Sequence, residues 1–179
     1  MTPIRLEQAL AFAVEAHHGT FRDGEMPLPY VTHVIDVLNN LRYIGRELDE
    51  EVLCAALLHD TLEETQVKPR DLKRLFGDRV AGLVEELTRR EPTAAEAKDL
   101  DPDELYELRS KLLLEGIEKM SPEAQKIKLA DRLSNLEEAF ATRRGNNRKR
   151  YLAQSREILT IIPKSMSPAL WKAVRKASS

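Results

Sequence analysis

The stretch AALLHDTLEET, Ala55 to Thr65, closes an apolar run with one histidine and three carboxylates. Asp60 stands where helical packing would favour leucine, and an unpaired carboxylate is costly to bury. It therefore needs a cation, a hydrogen-bond network or open solvent. A second stretch, KLADRLSN from Lys128 to Asn135, raises the same question. Asp131 and Asn135 are four apart and share a helix face, with Lys128 one turn earlier, whereas Leu129 and Leu133 point to a different, apolar side. Each stretch alone also reads blandly, as a helix that surfaces or as an ordinary charged helix face. Together, two neutral imidazoles and two carboxylates would give one divalent cation four ligands. A mixed nitrogen and oxygen set suits Mn, Fe or Zn better than Mg or Ca. The chain has four histidines, His17, His18, His33 and His59, too few for a richer binuclear site.

The elements that must carry these residues read as helices throughout. A first segment, about Ile4 to His17, puts Leu6, Ala9, Leu10 and Ala13 on one stripe. The glycines and prolines of GTFRDGEMPLP then break the chain. A second helix, about Val31 to Ile44, carries Val34, Val37, Leu38 and Leu41 on its apolar side. Asp49 can cap a third, Glu50 to His59, which is apolar nearly all round and therefore central. Gly77 separates a short helix, Pro69 to Phe76, from another, Asp78 to Thr88. The stretch REPTAAEAKDL, Arg90 to Leu100, reads as a mobile loop or frayed helix. Asp101-Pro102-Asp103-Glu104 carries a cap, a first-turn proline and an acid at the third position, and opens a helix to Met120. Ser121-Pro122-Glu123 repeats that signal for a helix to Phe140. GNN, Gly145 to Asn147, reads as a break before a helix to Ile162, and Ser167-Pro168 opens the last one. No alternating run signals a strand. The expectation is one all-α domain over residues 1–179, with a core of about 4–162, a C-terminal helix of about 167–177, and eight to nine helices in all.

Composition narrows the function. The 179 residues suffice for one core, and 42% are hydrophobic, as in ordinary globular chains. The net charge of −2 offers no basic field for nucleic acid. The basic run RRGNNRKR, Arg143 to Arg150, lacks interleaved aromatics apart from Tyr151, so it reads as a solvated helix start or the rim of an anionic pocket. Cys54, the single cysteine, excludes an internal disulfide and reads as a buried thiol. The N-terminus does not resemble a signal peptide. No stretch approaches the roughly 20 apolar residues of a membrane span. A cytoplasmic protein acting on a small molecule, with neither nucleic acid nor membrane as partner, is expected. The tail helix, with its tryptophan, could pack at home or at a subunit contact, so a homo-oligomer stays open.

Motif by motif, the chain resembles the HD-domain metal-dependent phosphohydrolases, and among them the alarmone hydrolases of the RelA/SpoT type and their small stand-alone forms. The carrying stretches are YVTH around His33, HDTLEE at His59 to Glu64, IKLADRLSN around Asp131, FGDRVAGLVEELTR from Phe76 to Arg89, and AHHGTFR upstream. They span about Leu6 to Ile162 in the family's order. The resemblance implies an all-helical HD-domain fold and one divalent ion, typically Mn2+, held by His33, His59, Asp60 and Asp131. It implies a proton-handling role for Glu63 and an orienting role for Glu64. Arg22, Lys128, Asn135 and Tyr151 would contact the substrate. His17 would be a structural hydrogen-bond partner near the site, and Arg132 would brace the ligand helix against a carboxylate.

The implied reaction is hydrolysis of (p)ppGpp at its 3′ position, releasing pyrophosphate and leaving GDP or GTP. The alternatives are another nucleotide phosphohydrolase (an NADPH 2′-phosphatase or a nucleotide 5′-monophosphatase) or a non-catalytic HD-domain binding protein. The chain departs from the family pattern at Thr20, Asp23, Val34, Glu64 and Ser134, where Gln, Lys, Pro, Asp and His are common.

Overall fold

The computed structural model describes residues 6–179, so Ile4 and Arg5, the expected start of the first helix, lie outside the described residues. Nine α-helices run through the described residues, with one isolated bridge, Phe21 to Pro29, and no sheet. The helices are α1 Leu6–Ala16, α2 Val31–Asn39, α3 Glu50–Leu58, α4 Thr61–Glu64, α5 Pro69–Leu87, α6 Pro102–Lys119, α7 Pro122–Thr142, α8 Gly145–Ile161 and α9 Pro168–Ala177. None is long and apolar enough to cross a membrane.

Local chemistry sets most of the boundaries. Asp49 accepts from the backbone N–H of Glu51 at 3.0 Å and caps α3; Glu50 and Glu51 add favourable charge at that end. Asp101 and Glu104 form the reciprocal capping box that opens α6, and Ser121 caps α7. Gly77 sits inside α5 at φ 86 and ψ 171. That left-handed φ suits glycine, and it divides α5 into the two pieces read from the sequence. The short helix α4 was not read from the sequence, and one boundary differs from the reading. α8 starts at Gly145 itself, and the chain breaks at Arg143 and Arg144, which are extended. The acidic segment after α5 is a run of turns in which Glu96 accepts from Arg90 and from Thr93.

Packing centres on α3 and α7. Every residue of α3 from Val52 to Leu58 is buried, with α1, α2 and α5 around it. α7 lies against α2, α5, α8 and α9 and buries Ile127, Leu129, Ala130 and Leu136 completely. Each such leucine or isoleucine contributes about 1.5–3 kcal/mol through removal from water. α2 continues through a π-helical turn, Asn40–Ile44, to Gly45. A Cβ on Gly45 would meet the Leu41 carbonyl at 2.6 Å and Leu170 of α9 at 2.8 Å, so that close approach requires glycine. The result is a scaffold that brings the ends of α2 and α3 to the middle of α7.

Candidate functional site

His33 projects from the first turn of α2, His59 caps the C-terminus of α3, Asp60 follows it, and Asp131 lies halfway along α7. The three elements meet so that His33 Nε2 is 3.4 Å from both Asp60 Oδ2 and Asp131 Oδ1. His59 Nε2 is 3.0 Å from Asp60 Oδ2 and 3.8 Å from Asp131 Oδ1. Ligand atoms of His33, His59 and Asp60 all fall within 4.8 Å of one another. Atoms bound about 2.1 Å from one ion lie about 3–3.5 Å apart at tetrahedral or octahedral angles, so the spacing fits a shared cation.

The outer atoms of the cluster hold the inner ones in place. His59 Nδ1 is 2.9 Å from the Ala56 carbonyl, which fixes a proton on Nδ1 and turns Nε2 toward the two acids. That Nε2 is buried, and Asp60 Oδ2 at 3.0 Å does not meet it in hydrogen-bonding geometry. His33 Nδ1 lies 3.1 Å from Ser134 Oγ. Asp131 accepts from Lys128 Nζ at 2.8 Å on Oδ2 and from Asn135 Nδ2 on Oδ1. Tyr30 donates its hydroxyl to Asp60 Oδ2 at 2.6 Å. The electrostatics agree with this geometry. Burial works against ionising either acid, but His59 beside Asp60 and Lys128 beside Asp131 hold both carboxyls well below the usual range. Burial also opposes charging His59, yet the two acids push it up to about 10. A field that draws a proton so strongly draws a divalent cation too. The donor set, the spacing and the orphaned nitrogen therefore fit a metal.

His33, Asp60 and Asp131 line a cavity of about 440 Å³. Glu63 and Glu64 of α4 line it beside Asp60. Glu63 Oε1 accepts the backbone N–H of Arg89 at 2.5 Å. Burial, then the nearby Asp60 and Glu63, raise the Glu64 carboxyl. Arg22 and Asp23 line the cavity as well. The Arg22 guanidinium is tied to Glu138 at 2.8 Å and to Asp36 at 3.2 Å, so any phosphate contact must share it with two carboxylates. Lys128 and Asn135 line the cavity while gripping Asp131. Tyr151 lines it too, with the guanidinium of Arg132 4.5 Å and that of Arg143 4.3 Å from its ring centroid.

Two expectations need correction. His17 is buried, yet neither ring nitrogen has a hydrogen-bond partner. It acts by stacking on Tyr30, with ring centroids 4.8 Å apart, and burial keeps it neutral by lowering its pKa. Among the described residues Arg132 pairs with no carboxylate; its partner is Gln154 Oε1 of α8 at 3.0 Å. Sequence reasoning also missed Tyr30 and Ser134 as supports of the ligands, although both lie three residues from one (His33 and Asp131). It missed Tyr106, Arg109 and Gln154, which line the cavity and carry no local signal.

The HD-domain family profile matches residues 9–161. The chain is 40% identical over 129 residues to the guanosine-3′,5′-bis(diphosphate) 3′-pyrophosphohydrolase MESH1 of Drosophila melanogaster, covering 72% of this chain and 66% of that one. It is 36% identical over 154 residues to the guanosine-3′,5′-bis(diphosphate) 3′-pyrophosphohydrolase of Aquifex aeolicus, covering 86% of this chain and 20% of that one. The bifunctional (p)ppGpp synthase/hydrolase SpoT of Escherichia coli K12 is 34% identical, with the same two shares. The chain thus spans about two thirds of the first of these relatives and a fifth of the other two. Among solved structures, a metazoan ortholog of SpoT described as hydrolysing ppGpp superposes with a TM-score of 0.82 at 30% identity, covering 99% of this chain and 95% of that one.

Proposed function

Since this chain belongs to the HD-domain family, and its similar relatives are hydrolases of guanosine 3′,5′-bis(diphosphate), we propose that it hydrolyses (p)ppGpp at the 3′ position. The ligand set is His33, His59, Asp60 and Asp131, and the ion is Mn2+. One observation supports this reading: the four side chains converge, and His33, Asp60 and Asp131 among them line a cavity large enough for part of a nucleotide. When bound, the cation acidifies a water toward neutral pH and offsets phosphoryl charge.

The chain's own residues supply the rest. Water adds to the 3′ phosphorus and the bond from that phosphorus to the ribose oxygen breaks. Pyrophosphate leaves, and the ribose oxygen takes a proton. Glu63 and Glu64 are the proton carriers. Glu63 is held by Arg89 at both oxygens, by the backbone N–H on Oε1 and by the guanidinium 3.8 Å from Oε2. Glu64, with its raised carboxyl, suits the return of a proton at neutral pH better than an ordinary glutamate does. Asn135 and Lys128 keep Asp131 oriented and face the reacting phosphate. Tyr151 offers a ring to the nucleoside, and Arg22 borders the same space. Residues 6–179 act as one catalytic unit.

Asp23 supports a second reading. It places a carboxylate on the cavity wall, which disfavours the most highly charged nucleotides and leaves room for a nucleotide phosphomonoester such as the 2′-phosphate of NADPH. A Mn-supplemented panel of phosphorylated nucleotides, with pyrophosphate and orthophosphate measured separately, tests the choice. Pyrophosphate from (p)ppGpp supports the proposal. Orthophosphate from a monoester, with (p)ppGpp untouched, replaces it with the second reading.

A further inference from the structure

The loop Phe21 to Pro29 lies beside the last turns of α7 and leaves a groove of about 250 Å³ between them. Its apolar residues are turned out of the fold: Phe21 is 60% exposed, Leu28 59% and Met26 92%. Met26 and Leu28 line the groove. The charged residues there are mostly acids. Asp23, Asp36, Glu137 and Glu138 line it with Arg22 as their one cation, and Glu25 is exposed on the same loop. Arg22 is already shared between Asp36 and Glu138, and among the described residues Asp23, Glu25 and Glu137 have no ion-pair partner.

The opposite charge lies alongside. α7 ends at Thr142, whose methyl group a Cβ on Gly24 would meet at 3.5 Å. The basic run Arg143 to Arg150 starts at the next residue, and Arg143, Arg144 and Lys149 are exposed. Arg144 donates to the carbonyls of Phe140 and Arg143. Arg148 lies 4.2 Å from the ring centroid of Phe140, which is itself 41% exposed. Arg150 is paired to Asp103, but among the described residues Arg144, Arg148 and Lys149 pair with no carboxylate. Glu137 and Phe140 are neighbours on α7, one turn apart. The acidic groove, an aromatic ring and the basic turn therefore form one continuous face.

An exposed apolar cluster rimmed by charge marks a contact surface, and methionine and aromatic side chains gather at such surfaces. Two patches of opposite sign on one face have a further geometric consequence. When a second copy is turned by half a revolution about an axis running between them, acid faces base at both contacts. Phe140, between the patches, then lies near that axis. A foreign basic segment would neutralise the acids and leave Arg144, Arg148 and Lys149 without partners, whereas a second copy serves both.

We propose that this face is a dimer contact between two copies of the chain. The basic turn Arg144 to Lys149 of one copy seats on the groove between the Phe21–Pro29 loop and α7 of the other, and the reverse. The contact does not depend on the reaction, but it borders the cavity, because Arg22, Asp23 and Glu138 line both spaces.

Sedimentation equilibrium of the full-length chain tests this, at micromolar to submillimolar loading and at low and high salt. A monomer–dimer equilibrium is expected, weakened by at least about tenfold at high salt, because screening acts on exposed charges. Two double variants each reverse one patch: Glu25→Lys with Glu137→Lys, and Arg144→Glu with Lys149→Glu. None of these four residues lines the cavity. Each variant alone should dimerise at least about tenfold more weakly than wild type, since like charges then face each other. An equimolar mixture of the two should regain the wild-type affinity within about threefold, because acid again faces base at both contacts. That recovery also shows that the separate variants are folded. A wild-type chain that stays monomeric throughout overturns the proposal. So does a dimer that neither reversal weakens, or a mixture that fails to recover. A monomeric chain that binds a synthetic lysine–leucine peptide saturably, and loses it on Glu137→Lys, overturns it too and gives the groove to a foreign basic segment.

Discussion

At one end of the cavity, His33, His59, Asp60 and Asp131 turn acceptor atoms inward, and nearly every outer atom is already held: by the Ala56 carbonyl, by Ser134, by Lys128 and Asn135, by Tyr30. At the other end, Arg132, Arg143 and Tyr106 turn donors inward, and three of those atoms meet nothing. The first end is organised before any ligand arrives, because its supports come from the helices that build the core. Positional precision is therefore supplied by the fold at the metal end, while the other side keeps buried donors without partners.

The largest test of that contrast is Asp131→Ala. It should reduce retained Mn2+ from about one per chain to none and abolish Mn-dependent hydrolysis. Lys128 would lose its ion-pair partner inside the fold, at a cost of up to about 3 kcal/mol by chemical denaturation. Hydrolysis that persists in metal-free buffer would break the contrast outright.

A smaller change is Tyr30→Phe. Removing the hydroxyl that donates to Asp60 should lower Mn2+ affinity by about tenfold, as loss of a partner behind a ligand does. Equal Mn2+ affinity in both proteins would reduce Tyr30 to a packing residue. The smallest effect lies on the scaffold common to both ends. Lys126 of α7 donates to Glu47 at 2.7 Å. Burial alone would raise the Glu47 carboxyl, but this bond and the backbone N–H groups of Asp49 and Leu48 hold it below its ordinary value. The stabilisation is complete above that ordinary value and fades as pH falls through the lower, folded one. Thermal melts between neutral pH and pH 3 should lose less stability in Glu47→Gln than in wild type, by under about 1 kcal/mol. Parallel acid limbs would remove the contribution.

The sequence disclosed most where local chemistry decides the outcome. The caps at Asp49, Asp101 and Ser121 and the all-round apolarity of α3 depend on neighbours a few residues away, and they read correctly. The start of α8 did not, because glycine both breaks helices and, at φ 55, begins this one. Within the site, the motifs around His33, His59 and Asp131 could be read by resemblance. Their support by Tyr30 hid inside the YVTH stretch, since a tyrosine there gives no sign of where its hydroxyl points. The distal end was illegible for a deeper reason. Tyr106, Arg132 and Arg143 come from three different stretches, and only the relative rotation of α6 and α7 and the course of the chain into α8 bring them together.

α7 presents one side to the core through Leu129 and Leu136 and another to the cavity through Lys128, Asp131 and Asn135. Inserting or deleting a single residue early in it would turn everything downstream by about 100°. The same rotation would carry Asp131 away from the histidines and drive charged residues into the hydrophobic interior. Along this segment an indel has no intermediate outcome, such as a stable but inactive chain.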